Sequence, residues 1–170
     1  MKKNEVYHYY VEGHDEKKIV DILKRDMGCI KSGKVDIFNA VQNRFSEARI
    51  RTLKSGTIVV LIYDTDVESN ITIMNENIIF LKKQPCVKKV LCIPQVKNLE
   101  DELINACNIK SISELTKSKS DINYKRDLIN CSNLDARLKQ NNFQISKLWN
   151  RIPDNKFQKF GNDAEQIKIK

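Results

Sequence analysis

Residues 57–63 (TIVVLIY) are apolar at nearly every position and run straight into Asp64-Thr65-Asp66. A strand with one face in water alternates apolar and polar residues, so a strand with no polar face must be covered on both sides. The run therefore predicts a central strand with helices above and below, ending in carboxylates. Val6–Val11 (VYHYYV), rich in aromatic and β-branched residues, predicts a second buried strand closed by a Glu12-Gly13 turn. Asp15 is expected to cap the helix in which Ile19, Ile22, Leu23 and Met27 recur at helical spacing, and Gly28 to stop it. Residues 35–38 predict a short strand, 40–53 a helix, 71–83 another helix, and 87–93 a fourth strand ended by Pro94. Strands alternating with helices imply an α/β fold, with a mostly parallel, four-stranded Rossmann-like sheet flanked by helices.

After Pro94 the pattern changes. Short helices are predicted over 99–107, 111–117, 121–130 and Leu134–Gln140, and a Lys-rich end holds Trp149 and Phe157. This divides the chain into an α/β domain, 1–97, and a basic helical extension, 98–170, packed on it. Trp149, Phe143 and Tyr124 are expected to pack the extension onto the sheet rather than to stack bases. The last ten residues show no core pattern and are expected to fray.

Charge is uneven along the chain. Residues 1–102 hold 17 Lys or Arg against 15 Asp or Glu, whereas residues 103–170 hold 13 against 7. An acidic site followed by a basic surface suits a protein that acts on a polyanion. The five cysteines contain no C-x-x-C pair and fall largely in apolar runs, as buried thiols of a reducing compartment do. With two histidines only, His8 and His14, a zinc site is not expected. His14 is read as a surface residue and His8 as a satisfied core or edge residue. The opening MKKNEVYHYY lacks the apolar core of a cleavable signal, and no run reaches the roughly 18 apolar residues of a membrane span. A soluble, cytoplasmic protein with no membrane contact is expected.

Ligands of open parallel sheets bind beyond the carboxyl ends of the strands. Glu12 stands one residue past the first predicted strand, and Asp64 and Asp66 end the third. Residues two apart on a strand end point the same way. Three carboxylates on one edge repel each other unless a hard cation neutralises them, and oxygen-only ligands select Mg²⁺ or Mn²⁺.

The segments YVEGHDEKKIVDIL (10–23) and IVVLIYDTDVES (58–69) resemble the Toprim domain of topoisomerases, bacterial primases, recombination factors and nucleases of the overcoming-lysogenization-defect type. The family pattern is a Glu in a Gly-containing turn after the first strand, then D-x-D after the third. The resemblance covers residues 6–94. It implies a Toprim-like fold in which Asp64 and Asp66 hold Mg²⁺ and Glu12 serves as metal ligand or general acid/base. Glu16 and Glu68 are the candidates for holding a second ion, and Lys97, just past the fourth strand, for steadying phosphate. Glu100 and Glu102 are expected to open the following helix. Two ions would activate water and steady the leaving oxygen in phosphodiester cleavage. Lys110, Lys117, Lys119, Lys125, Arg126, Arg137 and Lys139 would track the backbone of DNA or RNA. No tyrosine nucleophile stands out, so the resemblance points to a nuclease of RNA processing or phage defence. The alternative is a metal-, nucleotide- or nucleic-acid-binding regulatory module that acts with a partner protein. An effector that is inactive until assembled is a further reading. A receiver-type phosphoacceptor is disfavoured, because it needs an acidic pair after strand one and a lone Asp after strand three.

Overall fold

The computed structural model describes residues 5–68 and 71–169. Four strands, β1 (Val6–Val11), β2 (Gly33–Ile37), β3 (Thr57–Asp64) and β4 (Val87–Gln95), form one sheet in the order β2-β1-β3-β4, with every neighbour parallel. The helices are α1 (His14–Arg25), α2 (Glu47–Ile50), α3 (Ile71–Lys82), α4 (Leu99–Ala106), α5 (Ile112–Thr116), α6 (Tyr124–Asn130) and α7 (Leu134–Gln140).

The two faces of the sheet follow from the period of two along each strand. Tyr7, Tyr9 and Val11 of β1 join Ile58, Val60 and Ile62 of β3 under α1 and the helices after β4. Tyr10, Val59, Leu61 and Tyr63 face the other way, against α3, residues 40–53 and Phe157. Residues 58–63 are all nearly inaccessible to water, as the polar-free run requires. Each of these Val, Leu or Ile side chains contributes roughly 1.5–3 kcal/mol by burial.

Three expectations are corrected. Residues 40–53 do not form one helix. Buried Asn77 of α3 accepts from the Phe45 N–H at 2.8 Å and donates to the Ala40 and Asn43 carbonyls, both at 2.7 Å. The Asn39 side chain takes the N–H groups of Val41 and Gln42. These side-chain bonds compete with a helical ladder, so the helix starts only at its Ser46 cap. Pro94 does not end β4, which continues to Gln95. β4 is an edge strand, and its Cys92 N–H and C=O both turn outward to Asp163. Residue 94 has the same outward phase, so proline costs the sheet no ladder bond. Residues 161–169, expected to fray with Lys170, which lies outside the described residues, are tied down instead. Residue 168 bridges Ile30, the Lys31 N–H reaches the Ile167 carbonyl at 2.8 Å, and Ile167 is fully buried.

The core against α1 continues without a break through Leu103, Ile112, Leu128, Leu138 and Trp149, so residues after 97 share the sheet's own core. Among the described residues no helix is long and apolar enough to cross a membrane. All five cysteines are free.

Candidate functional site

With the order β2-β1-β3-β4, the chain leaves β1 toward one edge of the sheet and β3 toward the other. The carboxyl ends of β1 and β3 therefore border the crevice where open α/β sheets take ligands. Pairing of β1 with β3 stops at Tyr10–Leu61, while β3 runs on to Asp64. The Asp64 N–H thus lies beyond the ladder, and the Glu12 carboxylate accepts it at 3.2 Å. Glu12, Asp64 and the exposed Asp66 share a small cleft with Asn39, Val41, Gln42 and Val67.

Glu16 enters from the first turn of α1. Gly13 precedes it in extended backbone, and a Cβ there would stand 3.0 Å from Asp15 Oδ1 and 3.1 Å from Glu16 Oε2. Asp15, expected as a helix cap, makes no cap bond. Gly13 holds the cap position, and Asp15 is buried beside Glu16. Asp15 Oδ2 and Glu16 Oε2 are both buried without a hydrogen-bond partner.

Such carboxyls resist ionising. Burial, then the neighbouring Asp15 carboxylate, push Glu16 up to about 9. Burial, then the charge of Glu12, push Asp64 up to about 8. Burial also raises Glu12, opposed by the Asp64 N–H. The two carboxyls, joined through the Asp64 N–H, each disfavour the charged form of the other.

Lys125 of α6 reaches this cluster, its ammonium 3.7 Å from Asp15 Oδ2. Burial works against its charge, yet Asp15, Glu16 and Asp64 outweigh that and raise its pKa. The Tyr124 hydroxyl stands among the same groups, and burial together with the charge of Asp15, Glu100 and Glu16 raises it.

The other expected site residues do not line the Glu12–Asp64 cleft. Lys97 adopts left-handed backbone (φ 64°), and its main chain bonds Thr65 in both directions. Its ammonium pairs with Asp101 at 3.5 Å. Glu68 accepts the Lys156 N–H at 3.3 Å. Glu102 is fully buried and accepts the Val96 and Trp149 N–H groups. Lys117, Lys119, Arg126 and Arg137 line a second cleft, with Asp127 paired to Arg126 at 3.1 Å. Part of Arg137 is committed to structure, since its Nη1 donates to the Thr116 carboxy-terminal carbonyl of α5 at 2.8 Å. Lys139 pairs with Asp135 at 3.8 Å, and Lys110 donates its N–H to Glu114. His14 is exposed, and His8 bonds Asp36.

Sequence reasoning missed Gln95. This residue ends β4, pairs in register with Asp64, is fully buried, and donates from Nε2 to Asp64 Oδ1 at 2.6 Å. A lone amide closing the apolar run VLCIP was the available signal, because a buried amide needs partners.

The fit to a cation is partial and specific. Among the described residues no three His, Cys, Asp or Glu side chains form a ready-made metal cage. The desolvated Glu12–Asp64 pair, with the unpartnered Glu16 Oε2 near it, does suit a hydrated Mg²⁺, which keeps several waters and takes one or two carboxylates. No model of a known protein family, no curated protein and no solved structure matches this chain.

Proposed function

We propose that the protein is a Mg²⁺- or Mn²⁺-dependent nuclease that hydrolyses phosphodiester bonds of DNA or RNA, as Toprim nucleases do. One observation carries the reading: Glu12 and Asp64, 52 residues apart, converge at the sheet's crevice as a desolvated carboxyl pair. Glu12 and Asp64 would hold the ion, with Asp66 at the rim and Glu16 behind them. A bound Mg²⁺ supplies Lewis-acid polarisation and neutralises charge on the phosphate. Water adds at phosphorus as the bond to the leaving oxygen breaks. Glu12, raised by burial, suits the exchange of a proton between water and that oxygen. The ammonium at the cluster is that of Lys125, so we assign phosphate steadying to Lys125 ahead of Lys97. Lys119 and Arg126, on the neighbouring cleft, would guide the backbone. Free cysteines support a cytoplasmic setting.

A second reading is a binding or regulatory module that needs a partner protein. Lys125 already standing against Asp15 favours it, because a tethered cation can keep the cluster neutral without catalysis.

Cleavage of single- and double-stranded DNA and RNA, with Mg²⁺, Mn²⁺ or EDTA, tests both readings. We expect metal-dependent cleavage by the wild type and a loss of at least about 100-fold in Asp64→Ala. Metal binding without cleavage of any substrate would instead identify the module.

A further inference from the structure

Asp64 is connected to the C-terminal segment by two hydrogen bonds in series. Gln95 Nε2 donates to Asp64 Oδ1 at 2.6 Å, and Gln95 Oε1 accepts from the Trp149 indole N–H at 3.2 Å. The orientation of the Gln95 amide follows from chemistry, because an indole nitrogen only donates. The amide oxygen must face Trp149, which turns the NH₂ toward Asp64. Both Gln95 and Trp149 are almost wholly buried, so neither bond has water as a ready substitute.

Trp149 is itself held from three sides. Its N–H donates to Glu102 Oε2 at 2.9 Å, and its carbonyl accepts from Asn162 Nδ2 at 2.8 Å. Its backbone is left-handed, at φ 53°, a conformation that a non-glycine residue keeps only when its surroundings enforce it. A few residues on, Asn155 Nδ2 donates to the Thr65 carbonyl at 2.7 Å, inside the D-x-D itself.

We infer that Gln95 is a positioning residue for Asp64, locked by Trp149, so that the segment from Trp149 to Asn162 sets the geometry of the carboxylate centre. The inference rests on the metal-binding reading of that centre. It adds a role that β1, β3 and their carboxylates do not contain. Unlocked, the Gln95 amide rotates and Asp64 loses the donor that orients its carboxylate.

The test begins with calorimetric titration of Mn²⁺ into the whole protein, wild type beside Asp64→Asn. Binding by the wild type and its loss in Asp64→Asn are expected. Folded Gln95→Leu should bind Mn²⁺ about 10–100-fold more weakly, the usual cost of losing an outer partner of a metal ligand. Folded Trp149→Phe, which keeps an aromatic side chain but loses the indole N–H together with the five-membered ring, should weaken binding in the same direction. Trp149 is the only tryptophan, so its emission should change on saturation with Mg²⁺ in the wild type and stay fixed in Asp64→Asn. Mn²⁺ affinity unchanged in folded Gln95→Leu, or in Trp149→Phe, would overturn the positioning role and leave the metal centre standing. Should Gln95→Leu fail to fold, Trp149→Phe decides alone. A wild type that binds no Mn²⁺ would overturn both the metal reading and this inference.

Discussion

His8 shows how a single residue in the sheet responds to pH. Its Nε2 stands 2.8 Å from Asp36 Oδ2, across the β1–β2 pair. Burial disfavours the imidazolium, while Asp36 favours it, and burial prevails, so the pKa lies below 6.5. The unfolded chain therefore takes up a proton that the folded chain resists. The contribution of His8 to stability is level above about pH 6.5 and falls as pH drops below that value. An NMR titration of the His8 ring should give a midpoint under 6.5, moving lower still in Asp36→Asn. A midpoint above 6.5 would show that Asp36 outweighs burial. At this scale Glu12 and Asp64 were legible because strand ends and carboxylates are both local signals. Asp15 was misread as a cap, since a cap and a buried carboxylate have the same sequence signature. Gln95 went unseen because its partners lie 31 and 54 residues away.

Among elements, α4 is tied to β4 and to the C-terminal segment through a single carboxylate. Glu102 accepts from the Val96 N–H at 2.8 Å and the Trp149 N–H at 2.9 Å, and pairs with Arg151 at 3.2 Å. Its side chain is fully buried, whereas that of Arg151 is 36% exposed. Removing the two partners should therefore have unequal effects. Arg151→Met leaves a buried charge with only its two backbone donors and should cost about 2–3 kcal/mol in urea denaturation. Arg151→Lys should recover part of that loss. A cost below about 0.5 kcal/mol for Arg151→Met would mean that the two N–H groups suffice. Burial nevertheless raises the pKa of Glu102 despite these donors, so the network remains under desolvation stress. Element boundaries were readable where apolar periodicity was strong, as in β3 and α1. They failed at 40–53, where Asn39 and Asn77 replace helical bonds with side-chain ones.

For the whole molecule, the extension after residue 97, expected to pack on the α/β part, shares its core, and the packing predicts one cooperative body. The core runs from Tyr9 and Ile62 through Leu103 and Leu128 to Ile167 without a gap. Thermal unfolding followed by near- and far-ultraviolet circular dichroism should show one transition with coincident midpoints. A separate earlier loss of helix signal would show that the residues after 97 unfold on their own. Deleting residues 161–170 removes the fully buried Ile167 and the Asp163 contacts with the β4 edge. The midpoint should then fall by roughly 5 °C or more, at 2–4 °C per kcal/mol.

By itself the sequence determined the layered α/β architecture, because a polar-free strand can persist only between two layers of helices. It also determined which edge carries the carboxylates, because residues that follow parallel strands share one end of the sheet. Tertiary structure decided the rest. It selected Lys125, from α6, as the ammonium at the cluster, and bound Asp64 through Gln95 to Trp149. It also drew the chain's end, which has no periodic pattern, into the core. Those outcomes depend on distances between residues far apart in the chain, which loop paths set and no local pattern of side chains encodes.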